Sequence, residues 1–441
     1  MTAPADANDR GATLAAATAW LTRCDTLPAD VEAKARLLLL DTLGCLIAGL
    51  NHPDVKKFGH ALRVAFPGEI AWPASDIKLA PAGLAALGAA AACWDEACEG
   101  NAAAHGRPGL PVVPALLALA ADREVCLADL LLALVTGYEI GARAGEAWRI
   151  PPGWHVDGSS HSLGVAAAVA RLIAGPQLIQ AAIEAAACQI PASLYLPITV
   201  GSVLRNTYPA HAVLLGMMAA AAAEAGFDMP RGALEEGRRR ILRDTRDAAP
   251  TPAGQWTILD GYLKPFAAVR HTHYGVEAAL RLRRHPTFSL QKIGAIRLGI
   301  YEEAVRYCGN RAPRTAIQAQ FSLSYAIAAA LVLGDLGPEA YANLDDPAIR
   351  ELERRVVVDV DPGRVQRGAT LMIEIADTRL SETVDAVAGD PTMPMTNDDV
   401  INKFHRYAGP IVGRSQAEAL VAFCLEGNPA LPARQCFAFG R

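Results

Sequence analysis

From Ala12 to about Gly226 the chain is built from apolar runs so dense in alanine and glycine that few architectures can accept them. VEAKARLLLLDTLGCLIAGL, PAGLAALGAAAACW, LADLLLALVTGYEIGARAGEAW, LGVAAAVARLIAG and AVLLGMMAAAAAEAG place apolar residues at helical spacing with small ones between. Small side chains on most faces let helix backbones approach closely, so the pattern predicts a large all-helical bundle. From about Ile293 the period shifts toward two. IGAIRLGIY, RRVVVDVD and ATLMIEIAD read as strands, with the helical RTAIQAQFSLSYAIAAALVLG and PAIRELERR between the first and second. A strand, helices, then two or three strands describe a small α+β domain. From Thr396 the segments NDDVINKFHRYAG and SQAEALVAFCLEG return to helix. The expectation is a mostly α protein: residues 1–265 and 400–441 form a large all-helical domain, and 266–399 a smaller α+β domain. A chain of 441 residues is long enough for two cores.

Composition removes several function classes. A net charge of −5 with scattered Lys and Arg offers no footprint for nucleic acid. The apolar runs stop well short of the roughly 18–20 residues that cross a bilayer, and LGVAAAVARLIAG is cut by Arg171, so no membrane partner is expected. The N-terminal MTAPADANDRGATLAAATAW carries Asp6, Asp9 and Arg10 before its first apolar run and has no basic leader, which reads as cytoplasmic. Nine cysteines without CxxC spacing signal neither a disulfide framework nor a zinc site, and Cys93 and Cys98 read as buried thiols. Without a GxGxxG or P-loop pattern no nucleotide cradle is visible. No cofactor and no metal are expected, and chemistry falls to side chains.

The segment Trp94–Gly109, WDEACEGNAAAHGRPG, sets Asp95, Glu96, Glu99, His105 and Arg107 between two runs made for burial. Asp and Glu are common at helix ends, so a capping role for Asp95 and Glu99 competes with a functional one. His105 is followed by Gly106 and Gly109, which allow tight turns around it, with Arg107 available to hold an anion. Histidine moves protons near neutral pH.

DTLGCLIAGL, GYEIGAR, WHVDGSSHSLG, LKPFAAVRHTHYGVEAAL and FSLSYAIAAAL occur in an order and at spacings that resemble the MmgE/PrpD family, over nearly the whole chain. The family includes 2-methylcitrate dehydratase, cis-aconitate decarboxylase and iminodisuccinate epimerase. The resemblance implies a helical domain, a smaller α+β domain, a homodimer and a site in the cleft between the domains. It places Asp95 and His105 on the family's aspartate and histidine, while Glu99 stands where a threonine is usual. His155 matches the histidine of a second motif, and His161 falls on a glycine position and reads as structural. Lys264 matches the lysine before proline, with Arg270 favoured over His271 and His273 to reach the same cleft. Arg205 replaces a lysine, keeping the charge while making proton transfer harder, so it implies binding. Tyr325 matches a family tyrosine. Expected catalytic residues are therefore His105, Lys264, Asp95, His155 and Tyr325; Arg107, Arg205, Glu99 and Arg270 bind substrate.

These reactions all develop charge beside a carboxylate, which calls for cations to hold it and a group to move a proton. The departures at Glu99, Arg205 and Val269 place an iminodisuccinate-type epimerase first, with His105 and Lys264 as its acid and base. A 2-methylcitrate dehydratase or cis-aconitate decarboxylase follows, then a catalytically silent polycarboxylate binder. The expected partner is a small polycarboxylate.

Overall fold

The computed structural model describes residues 9–244, 249–376 and 378–437. Six helices make the body of the first core: α1 (Ala29–Leu50), α2 (Pro81–Cys93), α3 (Gly109–Ala120), α4 (Leu127–Ala147), α5 (His161–Ala174) and α6 (Tyr208–Glu224). α4 and α6 both pack on α5, and α2 packs on α1, α3 and α6. Their small residues are what allow this. A Cβ on Gly164 in α5 would lie 2.5 Å from the Gly137 carbonyl oxygen of α4, so the two backbones are in direct contact.

The second core begins with α7 (Arg270–Arg283), followed by β1 (Ile293–Ile300), α8 (Leu323–Leu333), α9 (Pro347–Arg355), β2 (Val356–Val360), β3 (Ala369–Ile375) and β4 (Thr378–Val384). The sheet order is β2-β1-β3-β4; β1 and β2 are parallel and the other pairs antiparallel. Along β3 the residues Ala369, Leu371, Ile373 and Ile375 are buried in alternation, the period-two signature of a sheet with one covered face. α7 supplies the cover, lying on β3 and β4 and against α8. The chain then returns through α10 (Asn397–Val412) and α11 (Arg414–Glu426), and α10 packs on α1.

Among the described residues two large apolar clusters result, with a small third one of Ile198, Ile317 and Phe321. One runs from Leu14 to Ala267 and resumes from Val400 to Cys436; the other runs from Phe266 to Val387. Among the described residues no helix is long and apolar enough to cross a membrane.

The expectation of an all-helical first unit is corrected by two antiparallel ladders, each strand two residues long. Gly100–Asn101 pairs with Gly261–Tyr262, and Trp154–His155 with Ser193–Leu194. Two residues cannot show a period, so the sequence pattern is blind to them. The run RTAIQAQFSLSYAIAAALVLG is likewise not one helix. It breaks after Ala316–Gln320, and Ser322 starts α8 by accepting the Tyr325 N–H at 3.2 Å.

Candidate active site

A cavity of about 780 Å³ opens between the two cores, with Trp148, His155 and Arg205 on the first side and His271, Phe321 and Arg367 on the second. The short ladders build its deep wall. Pairing of Gly100–Asn101 with Gly261–Tyr262 draws the strand after α2 to the segment before α7, which brings Lys264 to Glu96. Lys264 Nζ donates to Glu96 Oε1 at 2.7 Å and to the Glu96 carbonyl at 2.8 Å. Pairing of Trp154–His155 with Ser193–Leu194 fixes His155 next to Asp157.

Glu96 is the centre of this wall. Its carboxylate also meets Arg107 Nη1 at 3.2 Å and Arg205 Nη2. Asp157 closes the other side: it pairs with Arg107 Nη2, and Arg205 Nη2 lies 3.4 Å away. Cys93 Sγ accepts from both arginines, at 3.1 Å from Arg107 and 3.2 Å from Arg205. Three cations thus surround two carboxylates, all buried, an arrangement in which removing either carboxylate leaves two cations in excess. Burial opposes ionisation of Glu96, but Arg107, Arg205 and Lys264 together hold its carboxyl well below the usual carboxylate range. Burial pushes Lys264 below the ordinary lysine value, with the Glu96 carboxylate opposing.

His155 Nδ1 accepts the Asp157 N–H at 3.1 Å. That bond leaves the proton of the neutral ring on Nε2. Burial is the main reason its pKa falls to about 4, with Asp157 opposing. His161, expected to be structural, also lines the cavity, packed so that a Cβ on Gly106 would lie 2.5 Å from its Nε2. Its pKa falls to about 4 as well, again chiefly through burial.

The structure sorts the expected site residues. His105, Arg107, His155, Arg205, Lys264 and Arg270 line the cavity; Asp95, Glu99 and Tyr325 do not. His105 is exposed, and its backbone takes φ 51°, as Glu96 takes φ 52°. Left-handed backbone at a non-glycine residue costs on the order of 1–3 kcal/mol and gathers at functional sites. Asp95 is corrected: it is turned from the cavity, and burial together with Glu339 raises its pKa to about 6. Its neighbour Glu96 takes the place expected of it. Glu99 is corrected to a helix cap, its Oε1 accepting the Gly109 and Leu110 N–H groups of α3 at 2.8 and 3.1 Å. Burial raises Glu99 to about 8, with Arg107 and those two N–H groups opposing. Tyr325 is corrected to a core residue of α8 whose hydroxyl donates to the Ala340 carbonyl at 2.6 Å.

Besides His161, sequence reasoning missed several cavity residues, among them Glu96, Asp157, His271 and Arg367. Glu96 lay inside the singled-out segment but off the family pattern. Asp157 sits two residues beyond His155 and could have been found by asking what neutralises Arg107 and Arg205. His271 was passed over for Arg270; both line the cavity, and Arg270 is held by Asp390 at 2.5 Å. Arg367, in the loop between β2 and β3, carried no signal. Among the described residues no group of three or more His, Cys, Asp or Glu side chains is placed to hold a metal ion.

The MmgE/PrpD N-terminal domain family model matches residues 14–243, and the MmgE/PrpD C-terminal domain model matches residues 266–426. A cis-aconitate decarboxylase of Aspergillus terreus (strain NIH 2624 / FGSC A1156) is 24% identical over 463 residues, covering 94% of this chain and 93% of the relative. The cis-aconitate decarboxylase-like protein oryM of Aspergillus oryzae is 25% identical, covering 91% of each chain. A cis-aconitate decarboxylase of Mus musculus is 25% identical, covering 88% of this chain and 84% of its own.

Proposed function

The chain belongs to the MmgE/PrpD family of enzymes, and from that premise we propose that it is a lyase releasing CO2 from a small tricarboxylate of the cis-aconitate type. The observation that carries the reading is the deep wall, where Arg107, Arg205 and Lys264 outnumber Glu96 and Asp157. When CO2 leaves a carbon next to a double bond conjugated with a carboxylate, the bonding pair passes into that unsaturated system. A cationic wall stabilises the charge, and a proton must then reach carbon. Lys264 is the proton donor in this reading: Glu96 holds its ammonium in place, and burial eases loss of the proton. His155, neutral and carrying its proton on Nε2, is a hydrogen-bond donor to a substrate carboxylate without adding charge. His105 stands at the cavity wall as the exposed group able to exchange protons with water. The substrate enters as a polyanion and needs no cofactor for these steps.

Taken alone, the sequence departures at Glu99, Arg205 and Val269 favour an epimerase. Glu99, one of those departures, caps α3 away from the cavity, so its change from threonine does not bear on the reacting carbon. Epimerisation of a dicarboxylate stays as a second reading on one observation. His271 lines the cavity from the second core while Lys264 and His155 line it from the first, which gives two walls with proton-carrying groups. We also propose a homodimer, for which the exposed apolar side chains Leu194, Leu196, Val200 and Leu204 offer a surface.

Incubation with cis-aconitate in deuterated water separates the readings. The lyase gives CO2 together with one solvent deuteron on product carbon. Exchange of an α-proton in an iminodicarboxylate without CO2 supports the epimerase. A chain that binds cis-aconitate and does neither is the silent binder, and the lyase reading falls.

A further inference from the structure

Exposed Arg243 and Arg306 aside, the cations that reach the centre of the cavity differ in how they are paired. Arg107, Arg205 and Lys264 are committed to Glu96 and Asp157, and Arg270 to Asp390. Arg367 lines the same cavity, is half-buried, and has no hydrogen bond or ion pair to any described residue. Around it stand the phenols of Tyr262, Tyr274 and Tyr301, and the acid whose field reaches it is Glu303. A guanidinium partly withdrawn from water and left without an anion is costly unless a ligand completes it.

Its loop is braced to present it. Asp361 N–H donates to the Ile300 carbonyl at 2.9 Å, anchoring the loop to the end of β1. Arg364 bonds Asp385 at 2.5 Å and Thr370 Oγ1 at 3.3 Å, tying the turn to β3 and the end of β4. Beside Arg367, His271 Nδ1 lies 2.6 Å from the Tyr301 hydroxyl. A phenol far below its pKa donates there, which leaves the imidazole proton on Nε2. Burial, then Arg367 and Lys264, keep this ring neutral, its pKa falling to about 3.

We propose that Arg367 binds the substrate carboxylate farthest from the Glu96 and Lys264 cluster, with His271 as a neutral donor beside it, so that the second core reads the length and charge number of the substrate. The proposal rests on the polycarboxylate reading above. It divides the site in two. The first core holds the reacting end among its paired cations, and the second core supplies one unpaired, fork-shaped cation suited to a planar carboxylate.

The test is calorimetric titration of the wild-type chain, Arg367→Gln and Arg367→Lys with propane-1,2,3-tricarboxylate and with succinate, each variant checked for an unchanged Tm. Arg367→Gln weakens the tricarboxylate by about 100-fold and succinate by less than about 3-fold, since a charged bidentate contact is lost only with the longer ligand. Arg367→Lys keeps the charge without the fork and falls between, at about 10-fold. Should Arg367→Gln fail to fold, the Arg367→Lys ratio decides alone. Equal loss for both ligands, or none for either, overturns the role of Arg367 and leaves the polycarboxylate reading intact. A wild-type chain that binds neither ligand overturns that reading and the proposal with it.

Discussion

His105 and Glu96 share an uncommon left-handed backbone, and substitutions separate what each does with it. His105 is exposed, and no hydrogen bond of its side chain holds the fold. His105→Gln is therefore expected to leave Tm unchanged while kcat falls at least about 100-fold, the size usual for loss of an acid or base. An unchanged kcat per folded molecule removes His105 from the mechanism. Glu96→Gln is expected to behave otherwise, because it leaves Arg107, Arg205 and Lys264 short of one buried carboxylate. Breaking such a cluster costs about 3–5 kcal/mol, so Tm and kcat fall together. The segment WDEACEGNAAAHGRPG was legible as a place of chemistry, since buried apolar runs on both sides leave its charges nowhere else to go. Which acid enters the cavity was not legible. The turn that brings Glu96 and not Asp95 to the cavity includes a φ of 52° at Glu96 that no residue type announces.

At the scale of elements, the alanine and glycine content sets how closely the helices pack, and that closeness positions the site. α5 begins at His161 and lies on α4 through Gly137 and Gly164, with no room for a methyl group between them. Gly164→Ala adds one at 2.5 Å from a carbonyl oxygen and must push α5 from α4. Overpacking of this kind costs about 1–3 kcal/mol, and a fall in Tm of several degrees is expected, with KM rising as His161 shifts in the cavity wall. A Tm equal to wild type would show that the two helices can part freely. The helices and the long strands were legible because each repeats its period several times. The ladders at Asn101 and His155 were not, nor was the break at Phe321 that turns its ring into the cavity beneath Arg205. Elements of two residues are dictated by tertiary contact, and their sequences carry no pattern of their own.

For the molecule as a whole, burying ionisable groups around a cavity makes stability depend on pH in two opposed ways. Glu99 and Asp95 have folded pKa values raised to about 8 and about 6, chiefly by burial. A raised carboxyl stays protonated in the folded chain after the unfolded chain has ionised, so its contribution is complete below the unfolded value near 4 and shrinks as pH rises to the folded one. Acidification from pH 8 therefore stabilises the fold. His155 and His161 run the other way, their folded values lowered to about 4 by burial. The unfolded chain takes up these protons near pH 6.5 and the folded chain only near 4, so stability drains as pH falls through that interval. Below it, Glu96 and Asp157, both held low by their cations, must protonate and the cluster is lost. The opposed slopes predict a maximum in Tm close to pH 6, measurable by scanning calorimetry from pH 4 to 9. The arm above the maximum is tied to Glu99, because Glu99→Gln imitates its protonated form and keeps an oxygen for the Gly109 and Leu110 N–H groups. That variant is expected to match wild type near pH 5 and to exceed it by about 2–4 °C at pH 8. A wild-type Tm that climbs steadily from pH 6.5 to 8.5, or a Glu99→Gln profile parallel to wild type, would show that Glu99 is ionised in the folded chain and that its cap on α3 is carried by charge.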